Sequence, residues 1–254
     1  MRYLITLPWM PYPATDGGKQ GSFNMLMELQ NMIDITLIYP VFFKKQMACQ
    51  YLLEKQLPKV KVYPFEYYKN KDGIKSQYSL FRLHRIITRK FLKQPYLATP
   101  IYKDAYIDFV NEIIKKDRID IVQNEYFEQL YMVYAIPNTV KKVFIQHEIQ
   151  YIAKERLFQQ REYPSSVRYL ATMQRIQEIN ALNEYDQVIT MTDIDKNILM
   201  CDGVRAPISA SPSFIPLPDN IAYKECERSS ICFSGGSGCL LYTSPSPRDK
   251  RQSR

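Results

Sequence analysis

The chain predicts an α/β fold, a Rossmann-like parallel sheet flanked by helices, and three observations carry that prediction. Short apolar runs rich in β-branched residues alternate with longer amphipathic segments along most of the sequence, the order that builds a parallel sheet covered on both faces. The opening run, Tyr3 to Leu7, feeds a proline-punctuated loop, the pair Gly17–Gly18, a third glycine at Gly21 and then a helix. The 254 residues, 46% of them hydrophobic, supply a core for one large domain or two modest ones.

Taken in order, Tyr3 to Leu7 reads as a short buried strand. The helix after the glycines should turn Phe23, Leu26, Met27 and Gln30 inward. Ile33 to Tyr39 is a second strand closed by Pro40. Phe42 to Leu57 has a weak helical pattern, and Val60 to Phe65 is a third strand that Pro64 marks as an edge or a strand end. Lys69 to Gly73 is a polar turn. From Gln77 to Lys93, Leu80, Leu83, Ile87 and Phe91 recur at helical spacing with Arg82, Arg85, Arg89, Lys90 and Lys93 between them. Pro100 to Lys116 is a helix with Tyr102, Ala105, Phe109 and Ile113 on its inner stripe. Arg118 to Asn124 is a strand, followed by a short helix that ends before Pro137, and Lys142 to His147 is the next strand. Tyr151 to Asn183 is helical with a break near Tyr163-Pro164. Gln187 to Thr192 is a strand, and Asp193 to Cys201 is a helix capped by Thr192 or Asp193 and stopped by Gly203.

Composition narrows the classes. Pro8 stops the opening apolar run, so it does not read as a secretory signal, and no uninterrupted apolar segment has membrane-spanning length. Five scattered cysteines without a C-x-x-C pair read as reduced thiols of a cytoplasmic protein. Two histidines, His84 and His147, make a zinc site a poor expectation. No nucleic-acid motif accompanies the basic charge, so nucleic acid is not an expected partner. The basic helix at 77–93 reads first as a core-packed helix with a solvated face, and second as a peripheral contact with the inner face of a membrane.

Cys239 to Asp249 reads like a sequencing adapter translated in frame, so residues 239–254 are expected to be a non-native tail. The net charge of +8 falls to about +5 once the tail's Arg248, Lys250, Arg251, Arg254 and Asp249 are set aside. The proline-rich stretch from Pro207 marks a boundary. The expected organisation is a Rossmann-like domain at 1–206, a linker at 207–229 and the start of a second domain at 230–238.

Chemistry concentrates at two places. Gly17, Gly18 and Gly21 stand where a strand turns into a helix, a position whose unpaired amides suit an anion. Their spacing is neither a dinucleotide fingerprint nor a Walker loop, and a tight turn explains it equally. His147 ends a strand, where it is either a structural histidine or a site residue. Arg156 has two readings, a phosphate ligand or an ion-pair partner of Glu155 or Glu162. Glu178 reads as a solvated or packing-edge helix charge, and Tyr126, Tyr131 and Tyr134 as packing residues.

Three pieces stand in an order that resembles the N-terminal half of GT-B glycosyltransferases of the retaining, group-1 or family 4 type. They are the opening strand with Asp16-Gly-Gly-Lys-Gln-Gly-Ser-Phe23, Phe144-Ile-Gln-His-Glu-Ile-Gln-Tyr151 followed by Glu155-Arg156, and Glu178 ahead of Tyr185-Asp-Gln-Val-Ile-Thr-Met-Thr-Asp193. Ile231-Cys-Phe-Ser-Gly-Gly236 resembles the strand that begins the family's donor-binding domain. The resemblance implies a transferase that moves a sugar from a nucleotide-sugar donor to a glycan or lipid-linked acceptor in surface polysaccharide or glycoconjugate synthesis. It also implies that no resident cofactor or obligatory metal is needed. Gly17 and Gly18 would line the cleft near donor phosphates and acceptor, and His147 would contact the transferred sugar or orient the acceptor. The family's paired-glutamate motif and its diphosphate-binding cations are not in this sequence, so the chain by itself is expected to be inactive. The rival readings are a nucleotide- or anion-binding Rossmann-like module and a dinucleotide oxidoreductase domain, the latter disfavoured by the missing G-x-G-x-x-G.

Overall fold

A computed structural model describes residues 1–69, 104–159 and 165–213. The readings placed on the turn at 70–73, the basic helix at 77–93, the start of the helix at 100–103, the break at 163–164, the stretch 214–238 and the tail at 239–254 lie outside these residues. Among the described residues no helix is long and apolar enough to cross a membrane.

The expected alternation is present. The elements run β1 (Arg2–Thr6), α1 (Gly17–Leu29), β2 (Asp34–Val41), a 3-10 turn (Lys44–Cys49), α2 (Gln50–Gln56), β3 (Lys61–Glu66), α3 (Asp104–Lys116) and β4 (Ile121–Glu125). A second 3-10 segment (Phe127–Tyr134), β5 (Lys141–Gln146), α4 (Gln150–Gln159), α5 (Ser165–Leu182), β6 (Gln187–Thr190), α6 (Asp193–Cys201) and β7 (Ile208–Ala210) follow. The seven strands form one sheet in the order β3-β2-β1-β4-β5-β6-β7, every neighbouring pair parallel. The direction of winding reverses between β1 and β4, which makes the carboxyl ends of these two strands the natural place for a ligand.

Strand alternation divides the core by face. Leu4 of β1 and Ile38 of β2 look toward α3, where they meet Tyr106, Val110, Ile113 and Ile114. Ile5, Leu37 and Tyr39 look the other way, toward Leu26 of α1 and Leu53 of α2. A third cluster joins Phe144 of β5 and Val188 of β6 to Tyr151, Leu182, Tyr185 and Leu199.

Three local expectations change. Pro40 lies inside β2 rather than closing it. It pairs with Phe65 of β3 at a level beyond the end of β1, where a strand proline is tolerated. The buried stripe of α3 is Tyr106, Val110, Ile113 and Ile114, with Ala105 exposed, so the inner face is rotated by one residue from the one expected. β7 pairs with β6, which carries the sheet into the stretch read as a linker from 207. Pro64 does mark an edge, since β3 ends the sheet among the described residues.

Candidate functional site

β1, β4 and β5 end side by side, and the residues that follow them converge on one carboxylate. Glu125, the last residue of β4, is 1% exposed. Its Oε2 accepts from Ser22 Oγ of α1 at 3.0 Å and faces His147 Nε2 at 3.2 Å, while Oε1 accepts from Gln123 Nε2 at 2.7 Å. Gln123 in turn accepts from the Tyr3 hydroxyl at 2.8 Å. The next residue of β4, Asn124, accepts from Thr6 Oγ1 at 2.6 Å and donates to the Tyr185 hydroxyl at 3.0 Å. Three consecutive polar side chains in the middle of a sheet are tolerable because each is hydrogen-bonded.

Tyr126 is the second part of the assembly. Its backbone is held at φ 66°, a left-handed conformation that a bulky residue adopts only when its surroundings impose it. The anchors are visible. Its hydroxyl donates to Gly18 O at 2.7 Å, and its ring lies 3.9 Å from the His147 ring at an interplanar angle of 5°. Trp9 packs on it with ring centroids 4.5 Å apart. Burial pushes the Tyr126 hydroxyl up to about 12, so it stays a neutral donor at any physiological pH.

His147 is thus gripped on one face by Tyr126 and at Nε2 by Glu125. Its side chain is 21% exposed, and among the described residues Nδ1 has no hydrogen-bond partner. A ring oriented from behind by a buried carboxylate, with its second nitrogen available, can accept from, or take a proton from, a substrate hydroxyl.

Gly17 and Gly18 are the first two residues of α1, so their amides have no intrahelical acceptor. The cap residue Asp16 takes the third amide, Lys19 N, at 2.9 Å. That bond, with Lys19 beside it, holds the Asp16 carboxyl below the usual carboxylate range. A Cβ on Gly18 would stand 3.1 Å from the Tyr126 hydroxyl, whereas one on Gly17 would meet nothing within 4 Å. A side chain at Gly18 would thus press on the Tyr126 hydroxyl, and Gly17 leaves open space at the helix start. Gly21 lies one turn further along, with Ser213 Oγ 3.8 Å from where its Cβ would be. Arg156 sits exposed on α4, and no hydrogen bond among the described residues ties it to Glu125, Tyr126 or His147.

Sequence reasoning singled out Gly17, Gly18 and His147, which lie around Tyr126 and Glu125, but it did not single out Glu125 and it misread two residues. Tyr126 is not simple packing, since it joins α1 to His147. Glu178 is no solvated charge. It is fully buried on α5, and it accepts from Gln146 Nε2, Gln150 N and Tyr151 N. The signal for Glu125 was present as Gln-Asn-Glu at the end of a central strand, where polar side chains must find partners.

The chain is similar to two solved structures. One is Phytolacca americana UGT2 complexed with UDP-2fluoro-glucose and pterostilbene, at 10% identity and TM-score 0.49, over 86% of this chain and 55% of that one. The other is Glycyrrhiza uralensis UGT73P12 complexed with glycyrrhetinic acid 3-O-monoglucuronide, at 8% identity and TM-score 0.43, over 82% of this chain and 48% of that one. The chain spans about half the length of these structures. No protein-family profile and no curated protein sequence matches it.

Proposed function

We propose that this chain is the acceptor-side half of a glycosyltransferase that uses a nucleotide-sugar donor. The observation that carries the reading is the Glu125–His147–Tyr126 assembly at the carboxyl edge of the sheet, built against the start of α1. Glycosyl transfer needs a group that holds or deprotonates an acceptor hydroxyl and donors that meet the charge developing on the leaving diphosphate. His147 Nδ1 supplies the first. The amides of Gly17 and Gly18 supply part of the second, with Arg156 as a further contact to donor or acceptor and Gly21 keeping the helix open beside Ser213. The donor is a substrate and not a resident cofactor, and the bulk of its binding belongs to a second domain of GT-B type. A glycan or lipid-linked acceptor and a role in surface polysaccharide or glycoconjugate synthesis at the cytoplasmic face complete the reading. A peripheral membrane contact through 77–93 belongs with the lipid-linked case.

The family resemblance implies retention of configuration, with His147 orienting a hydroxyl. The carboxylate behind His147 favours a second reading, in which the ring removes the acceptor proton and configuration inverts. The test is a transfer assay on a polypeptide that joins this chain to its donor-binding domain, reading nucleoside diphosphate release and the anomeric configuration of the product by NMR. Sugar transfer that falls by roughly two orders of magnitude in His147→Ala is the expected result. Saturable nicotinamide-cofactor binding with no sugar transfer would overturn the reading in favour of an oxidoreductase domain.

A further inference from the structure

The turn between β5 and α4 carries His147 and is fastened on both sides of it by one buried carboxylate. Glu178 Oε1 accepts from Gln146 Nε2 at 2.9 Å and from Gln150 N at 3.1 Å, and Oε2 accepts from Tyr151 N at 3.2 Å. Gln146 Nε2 also donates to Glu148 O at 2.9 Å. Residues 146, 148, 150 and 151 are therefore tied, directly or through Gln146, to a side chain 32 residues away from Gln146 in sequence. Gln150 and Tyr151 are the first two residues of α4, whose amides have no acceptor within the helix. A carboxylate from a neighbouring helix meets them and opposes the positive end of the α4 dipole.

We infer that Glu178 is a positioning residue for His147: through its bonds to Gln146, Gln150 and Tyr151 it holds the turn that presents the ring to Glu125 and Tyr126. This rests on the reading of His147 as a site residue. Glu178 does not touch His147, so its influence passes through the backbone between Gln146 and Gln150. Three N–H groups point at the carboxylate, and all three suit its ionised form. A protonated carboxyl brings an O–H of its own into a space lined by donors, so at least one of the three bonds is weakened.

The charge balance around the group makes that proton available near neutrality. Burial, the largest influence, pushes the carboxyl up to about 7 against the opposing pull of Gln150 N, Gln146, Tyr151 N and the Lys154 ammonium. Lys154 of α4 is itself pushed down by burial, and it donates to Gln174 of α5. Tyr131 faces Glu178 from the second 3-10 segment, and Tyr151 faces it from α4. Burial holds both phenols in the neutral form. Beyond Tyr151 stand Asp202 and Arg175, which are bonded to each other, and exposed Glu148 lies in the turn itself.

Nitrogen-15 NMR of this chain tests the inference without any need for turnover, so its outcome is separable from that of the glycosyltransferase reading. The sequence contains two histidines, and a His84→Gln background leaves the His147 ring as the only imidazole signal. The amides of Gln150 and Tyr151 are expected to titrate with a midpoint near 7. In Glu178→Gln the titration should vanish and the His147 ring signals should shift or broaden at alkaline pH, while the amides of β1 and α1 keep their positions. Ring signals unchanged in Glu178→Gln would overturn the inference. So would wild-type Gln150 and Tyr151 amides that do not titrate near neutrality, and that measurement decides the matter if the variant does not fold.

Discussion

His147 is placed by residues far from it in the chain, and substitutions can separate its chemistry from its setting. Glu178 offers the sharpest pH dependence. Its folded value of about 7 lies above the ordinary 4.5, so the folded state binds the proton more tightly. The stability it contributes is complete below the ordinary value and is lost as pH rises through 7, amounting to about 3 kcal/mol. Urea unfolding at mildly acidic and mildly alkaline pH should show a loss in the wild type that Glu178→Gln removes. The two glycines of α1 should behave oppositely. Gly18→Ala pushes on the Tyr126 hydroxyl and should cost about 1–2 kcal/mol in urea unfolding, after the small helical gain of alanine. Gly17→Ala meets nothing within 4 Å, so it should leave stability unchanged or slightly raised. Any loss from it would then appear as weaker nucleotide-sugar binding by calorimetry, the signature of a helix start that a ligand approaches closely.

Among the elements, α6 shows how local signals set boundaries. Thr192 Oγ1 accepts from Asp195 N at 3.1 Å, which satisfies one of the first amides of the helix, and Gly203 follows its end at φ 102°. Thr192→Ala should cost about 1 kcal/mol. Gly203→Ala should cost at least as much, because alanine in that backbone region is strained. Each loss should lower the thermal midpoint by about 2–4 °C per kcal/mol. α3 illustrates the opposite case. Its apolar residues are dense enough to support more than one stripe, and its inner face is chosen by Leu4, Ile38 and Phe65 of the sheet. Tyr106 and Val110 fill that space, and Ala105 does not.

At the scale of the molecule, the reversal of winding between β1 and β4 creates the site. Ser22 and Glu125 are 103 positions apart, and His147 is 22 beyond Glu125, yet one carboxylate bonds to both. Glu125→Ala tests that junction. It removes one acceptor from Ser22, Gln123 and His147 together, and it should cost about 2–3 kcal/mol in urea unfolding because buried donors lose a charged partner. It should also release the His147 ring from Tyr126, visible as loss of the imidazole's ordered NMR signal. A variant that keeps both stability and ring order would mean that the carboxylate is not what orients the histidine.

The sequence by itself determined the α/β class, the order of strands and helices, the cap of α6 and the edge role of β3. Those features follow from periodicity, glycine and proline placement and local hydrogen bonding, all of which act over a few residues. Only the tertiary structure decided that Glu125 stands behind His147, that Tyr126 bridges α1 to that ring, and that Glu178 is buried as an anchor instead of solvated. The reason is physical. Each of these roles depends on which strands lie side by side and on which polar groups are thereby removed from water, and neither is encoded within any one segment. A glutamate on a helix looks the same in sequence whether water or three N–H groups face it.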